Sequence, residues 1–323
     1  EHCDHFSGFF ILSSLAGGTG SGVGAFVTEL MRDNYPKANL LNQVVWPYDS
    51  GDVIVQGYNS ILTMSHLLRE SDGIVYFLND QLNETVKVLE NKKSPSFTDM
   101  NRVIARAMAS VLLPATNAED GRSVQFSESV THLFSHPGYK FSTIRRIPQA
   151  PSSSKPFNSN TWNYLMKHLQ QMQIADGFME EKINWRIRLK STHSHHQQHG
   201  SRINRAVAAI VCLRGKDSLS AGLKEPFFTS PDMYPRWSFD PLWKTYSRSC
   251  FDSNERTAAI WSNSGSIVAP LESVVAKAWN KYSTNAYIHH YAKHGITDTH
   301  FERGFATLEQ AISDYRKLGG VSG

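Results

Sequence analysis

Along the amino-terminal part of the chain, short unbroken apolar runs alternate with segments whose apolar residues recur every three or four positions. Residues 9–15 are apolar apart from two serines, the composition of a strand buried on both faces, and this strand is expected at the centre of a parallel sheet. From Val23 onward the apolar side chains fall at Val23, Phe26, Val27, Leu30 and Met31, one face of a helix starting near Ser21. The same reasoning predicts strands at 40–46 and 73–78 and helices at 55–70 and 83–89. Alternating strands and helices imply an α/β fold with a parallel sheet, whose ligand sites gather beyond the carboxyl ends of the strands.

Phe97-Thr98-Asp99 precede a long core helix with Val103, Ile104, Ala107, Met108, Val111 and Leu112 on one side, capped by Thr98 or Asp99 and ended by Pro114. Residues 115–125 are polar and predict a loop before a helix at 126–135. A mixed α/β second domain follows, with strands at 140–147, 206–214 and 257–261. Its amphipathic helix at 161–174 carries Trp162, Leu165, Met166, Leu169 and Met172. The end is a helical region, at 271–282, 287–293 and 301–318, the last with Phe305, Leu308, Ile312 and Tyr315 on one face. These boundaries divide the chain into a partial nucleotide domain at 1–113, an intermediate α/β domain at 114–269 and a helical end at 270–323.

Between the first strand and the first helix lies Gly17-Gly18-Thr19-Gly20-Ser21-Gly22. Missing β-carbons let this backbone approach another group closely, and Thr19 and Ser21 add hydroxyl donors. The helix start supplies unpaired N–H groups and the positive end of the helix dipole, so strand, glycine loop and helix together suit a phosphate. The plain alternative is a tight turn. A Walker loop is excluded by the absent Gly-Lys-Ser/Thr ending. A nicotinamide-binding Rossmann enzyme is disfavoured, because the next strand ends in Trp46-Pro47-Tyr48 rather than an acidic residue.

With 323 residues and 40% hydrophobic content, the chain can bury substantial cores. It has no apolar run of eighteen residues and no signal-peptide pattern, which predicts a soluble intracellular protein without a membrane partner. The formal charge of +4 is small and interspersed, so no nucleic-acid partner is indicated, and Arg145-Arg146 and Lys92-Lys93 read as solvated surface. Cys3, Cys212 and Cys250 are too few and too far apart for a disulfide framework. Cys212, inside AVAAIVCLRG, reads as core. His193, His195, His196 and His199 read as a loop rather than a zinc site, because no cysteine or carboxylate lies nearby to close the coordination. The opening Glu1-His2-Cys3-Asp4 lacks an initiator methionine and leads straight into a central strand, so an amino-terminal portion is expected to be missing.

Several stretches carry a resemblance in order along the chain: AGGTGSG at 16–22, GYNSILTMSHLL at 57–68, FLND at 77–80, SFTDMNRVIARAMAS at 96–110 and NAYIHHYAKHGITDTHF at 285–301. Together they resemble the tubulin family. VVWPYDSGDVIVQGYN, VCLRGKD and AKAWN set the sequence apart from the alpha and beta chains.

The resemblance implies a GTP- or GDP-binding cytoskeletal subunit with Gly17, Gly18, Thr19, Gly20, Ser21 and Gly22 at the phosphates. It places Asn79 and Asn101 at the guanine, Phe97 stacked on the base, and Gln56 and Asp52 beside the ribose. Taken alone, Asn79 and Asn101 also suit turn and capping roles, Phe97 a hydrophobic staple, and Asp52 a surface turn. Glu128 stands where the family carries the acidic residue that positions water against the next subunit's nucleotide; the plain reading is a solvent-facing helix glutamate. Mg2+ and further phosphate contacts are implied for the amino-terminal region that this sequence lacks. The implied partners are other tubulin subunits in head-to-tail contact and microtubule or centriolar proteins, and the implied location is the cytoskeleton of centrioles and the basal bodies of cilia. A scaffold of the same fold without nucleotide turnover is the main alternative.

Overall fold

The computed structural model describes residues 6–51, 53–149, 161–189, 203–224 and 226–319. They fall into two compact units: Glu1–Asp80 with Phe134–Ser142 and Ser266–Gly323, and Gln81–Leu133 with Thr143–Gly265. The four histidines at 193–199, Cys3 and Asp52 lie outside the described residues.

In the first unit, β1 (Gly8–Ser14), β2 (Asn39–Trp46) and β3 (Gly73–Leu78) run parallel in that spatial order, and β3 pairs with the first residues of β5 (Phe141–Ile147). β2 and β3 are almost fully buried, as a sheet covered on both faces requires. The helices are α1 (Gly24–Asn34), α2 (Gln56–Glu70), α8 (Val268–Tyr282), α9 (Ile288–Ala292) and α10 (Asp298–Leu318). α3 (Asn79–Leu89) begins at the end of β3 and runs into the second unit.

α2 buries Tyr58, Ile61, Met64 and Leu67, positions three or four apart, and α10 packs on it closely enough that a β-carbon at Gly304 would stand 2.7 Å from Ile61 Cγ2. Tyr58 rests edge-on against Phe301 and donates its hydroxyl to Ala286 O at 2.9 Å. Tyr315 Oη accepts from Phe141 N at 2.8 Å, joining α10 to the sheet.

One expectation is corrected here. Among the described residues β1 pairs on one side only, with β2, so it is an edge strand rather than a central one. The apolar face of α1 turns outward: Val23, Phe26 and Leu30 are exposed, Phe26 by 60%, while Ala25 and Thr28 face the sheet.

The second unit carries α4 (Phe97–Leu112), β4 (Thr116–Asn117), α5 (Phe126–Leu133), α6 (Trp162–Ile174), β6 (Ala206–Gly215), α7 (Ser218–Lys224), β7 (Leu242–Ser247) and β8 (Arg256–Ser264). β8 pairs antiparallel with β5 and β6, and β6 pairs parallel with β7. α6 supplies Leu165, Met166, Leu169 and Met172 to a core shared with Ile147, Val211, Leu213 and Ile260. Cys212 is buried in β6, and burial pushes its thiol pKa up.

Ser96, not Thr98 or Asp99, caps α4: Ser96 Oγ accepts from Asp99 N at 3.2 Å and Asp99 Oδ2 accepts from Ser96 N at 3.0 Å. At the other end of α4, the buried Arg214 donates to Ser110 O, Leu113 O and Pro114 O, filling carbonyls that the helix leaves unpaired. Nor is the Arg145-Arg146 pair solvated. Arg145 is buried and donates to Gly177 O at 2.9 Å and Gln173 Oε1 at 3.0 Å, and Arg146 is paired with Asp252 at 3.0 Å. Strand neighbours point to opposite faces, and each finds acceptors there.

His132 on α5 stacks on Trp243 with ring centroids 4.1 Å apart, and burial lowers its pKa from the ordinary 6.5. A folded-state pKa below the unfolded one favours the folded state at neutral pH, and the advantage is lost as pH falls through 6.5 toward the folded value. The urea midpoint of the protein is therefore expected to fall between pH 7.5 and pH 5.5, and His132→Phe to flatten that fall. An equally steep fall in the variant would contradict the assignment.

Candidate functional site

β1 ends at Ser14, and Leu15, fully buried, donates its N–H to Val45 O at 3.1 Å, so the chain is held to the sheet before the glycines begin. The helix starts with a π-helical turn, Thr19–Val23, that runs into α1. Its first-turn N–H groups lie at the carboxyl end of β1.

Glycine is required here for different reasons at different positions. A β-carbon at Gly20 would stand 2.4 Å from Ser14 Oγ and 3.1 Å from Ser14 N, so the loop is pressed against the strand. At Gly18 and Gly22 nothing lies within 4 Å, and both are exposed. Backed by the strand on one side and open on the other, the loop fits a multiply charged phosphate chain. Ser21 is buried and donates its hydroxyl to Gly17 O, which fixes the turn. Asn59 of α2 donates to Ala16 O at 3.4 Å and accepts from the Tyr291 hydroxyl at 2.6 Å.

Pairing places Ser14 opposite Val45 and Trp46 opposite Leu78, so β1, β2 and β3 end at one level. Three segments therefore leave the same edge of the sheet: the glycine loop, the loop from Pro47 to Val55, and Asn79 at the start of α3. Gln56 Nε2 donates to Tyr48 O at 3.0 Å, and a β-carbon at Gly51 would strike the Gln56 amide, so Gln56 braces this loop from within. Asp49 N donates to Asp80 Oδ2 at 2.9 Å. Lys277 Nζ bonds Asp49 Oδ1 at 2.7 Å and holds the Asp49 carboxyl below its usual pKa. Burial, and then the charge of Asp80, push the Tyr48 hydroxyl up.

Gly17 to Gly22, Gln56 and Asn79 all belong to the first unit. Phe97, Asn101 and Glu128 belong to the second. Phe97 is the first residue of α4 and 70% exposed, and Asn101 is exposed one turn further along. Glu128 is exposed in the first turn of α5, where its Oε2 accepts from Gln125 N at 2.8 Å. Sequence reasoning missed Asn59, Asp49, Asp80 and Lys277. Lys277 lies 228 residues from Asp49, so no local pattern marks the pair.

Residues 1–87 match the family profile described as Tubulin/FtsZ family, GTPase domain. The tubulin delta chain of Mus musculus is 42% identical over 335 residues, covering 99% of this chain and 72% of the relative. The chain belongs to the tubulin family.

The human tubulin delta chain is 40% identical to this tubulin over 98% of the chain, and the tubulin gamma chain of Candida albicans is 35% identical over 54% of it. Membership implies binding of GTP or GDP, and the glycine loop has the open backbone that an anion site requires. No helix among the described residues is long and apolar enough to cross a membrane.

Proposed function

We propose that this protein is a GTP-binding tubulin of the delta type that assembles head to tail with other tubulin subunits as a structural or regulatory component of centriole and basal-body microtubules. The observation that carries the nucleotide part is the common edge at which the glycine loop, the braced 47–55 loop and Asn79 leave three parallel strands. In this reading Gly17 to Gly22 hold the phosphates through backbone N–H groups and the Thr19 hydroxyl, with Mg2+ accompanying the triphosphate. Asn79 offers the guanine edge both a donor and an acceptor. Phe97, Asn101, Gln56 and Asp52 keep their base and ribose roles on the strength of the motif match, though Gln56 must exchange its bond to Tyr48 O, or use its Oε1, to meet a ribose hydroxyl. The delta-chain relatives, matched over almost the whole sequence, support the delta type; the centriolar placement rests on the family resemblance alone.

Glu128 is proposed to orient the attacking water on a neighbouring subunit's nucleotide, a role its exposed carboxylate permits. Glu128→Ala is then expected to lower assembly-dependent GTP hydrolysis by at least tenfold while GTP affinity stays the same. An unchanged hydrolysis rate on assembly would remove the role, and absence of turnover in the assembled wild-type protein would favour the scaffold reading. For the cellular part, the tagged protein in ciliated cells is expected at basal bodies, and a uniformly diffuse signal would contradict the placement.

A further inference from the structure

The first unit contains a pocket of about 520 Å³ on the α8 side of the 47–55 loop. That is within the range of small-molecule sites. α2 and α8 approach closely beside it, where a β-carbon at Gly57 would stand 3.4 Å from Ala278. Trp46, Val53 and Ile54 supply apolar wall, Ser60 of α2 stands in the wall as well, and Lys277 and Lys281 of α8 supply ammonium groups.

Two features set this pocket apart from a packing defect. Ser60 is 1% exposed, and its hydroxyl has no hydrogen-bond partner among the described residues. The helical hydroxyls of Thr28, Thr85 and Ser110 bond carbonyls in their own helices, whereas that of Ser60 does not. Secondly, the lining is amphipathic. Val53 and Ile54 are half exposed against it, whereas its charged members are Lys277, Lys281 and Asp49. Lys277 is bonded to Asp49 and Lys281 donates to Ile54 O, and each ammonium, with three hydrogens, keeps donors for another acceptor.

We infer that this pocket binds a small amphipathic anion, an aromatic or alicyclic carboxylate or sulfonate. Its apolar body would lie against Trp46, Val53 and Ile54, and its acid group would meet Lys277 and Lys281. The pocket contains no residue of the glycine loop but shares Gln56 with the proposed ribose side, and the inference does not depend on GTP binding.

Dansylglycine, an aromatic carboxylate whose fluorescence rises on leaving water, is the probe. It is expected to bind the whole protein saturably with one site. The double variant Lys277→Gln with Lys281→Gln is expected to weaken binding at least tenfold, and Thr284→Trp, at an exposed position on the pocket rim, to block it. Phe26→Ser, which removes an exposed apolar side chain of α1, and Gly18→Asp in the glycine loop are expected to leave the affinity unchanged. Unaltered binding in the lysine variant and in Thr284→Trp would overturn the inference. So would loss of binding in Phe26→Ser or Gly18→Asp, which would place the probe on the α1 face or in the nucleotide loop. Circular dichroism of each variant checks the fold, and a crystal of the wild-type protein soaked with dansylglycine gives an independent reading: density in any other place, or none, counts against the site.

Discussion

Gly18→Asp is expected to weaken GTP binding at least 100-fold while leaving the fold intact. Gly18 has ordinary helical dihedrals, φ −71° and ψ −65°, which an L-residue adopts without strain, and a β-carbon there meets nothing within 4 Å. Its stability cost is therefore that of a surface change, within about 0.5 kcal/mol. The functional cost is electrostatic. A carboxylate at the mouth of the first helix occupies the favourable position for an anion and repels the phosphates that would take it. A 100-fold loss is about 2.7 kcal/mol. Gly20→Ala makes the contrast, because its β-carbon meets Ser14 Oγ at 2.4 Å and the loop itself must move. Equilibrium dialysis against labelled GTP, with thermal unfolding of the same samples, separates the two. Wild-type affinity in Gly18→Asp would show that the loop is not where the phosphates sit.

The largest stability effect is expected at Gly215, the last residue of β6. Its φ of +117° lies outside the region that a side-chain-bearing residue tolerates, and a β-carbon there would stand 1.9 Å from Glu255 O on the chain leading into β8. That oxygen belongs to the backbone, so relief requires the β6–β8 pairing to shift. Gly215→Ala is expected to cost about 3 kcal/mol or more in urea unfolding, combining backbone strain with overpacking. Gly121 provides the control. Its φ is +72° but nothing lies within 4 Å, so alanine there is expected to cost only about 1 kcal/mol. Similar midpoints for the two variants would mean that the close approach at Gly215 carries no weight.

How much of this could be read in the chain depends on how far each determinant reaches. The strands at 40–46 and 73–78 and the helices at 55–70 and 161–174 were legible because apolar period and breakers are local, and β2, β3, α2 and α6 lie within a residue or two of those bounds. The glycine loop was legible for the same reason. β7 was missed because LWKTYS mixes polar and apolar residues without a clean period, and only its pairing with β6 makes it a strand. The outward face of α1 and the edge position of β1 depend on what stands beside them, which period cannot encode. In the candidate site, contacts with a nucleotide are proposals, but the position of the glycine loop between β1 and α1 and of Asn79 at the end of β3 followed from sequence. The bond from Gln56 to Tyr48 O and the tie of Asn59 to Ala16 and Tyr291 did not, since each joins segments that meet only after folding.

The claim on which the rest stands is that the amide hydrogens of the glycine loop hold a guanine nucleotide. Titration of the protein with labelled GTP, followed by competition with GDP and with ATP, tests it most directly. The account predicts saturable binding at one site, displaced by GDP and not by ATP. Absence of saturable binding, or displacement by ATP as readily as by GDP, would contradict it.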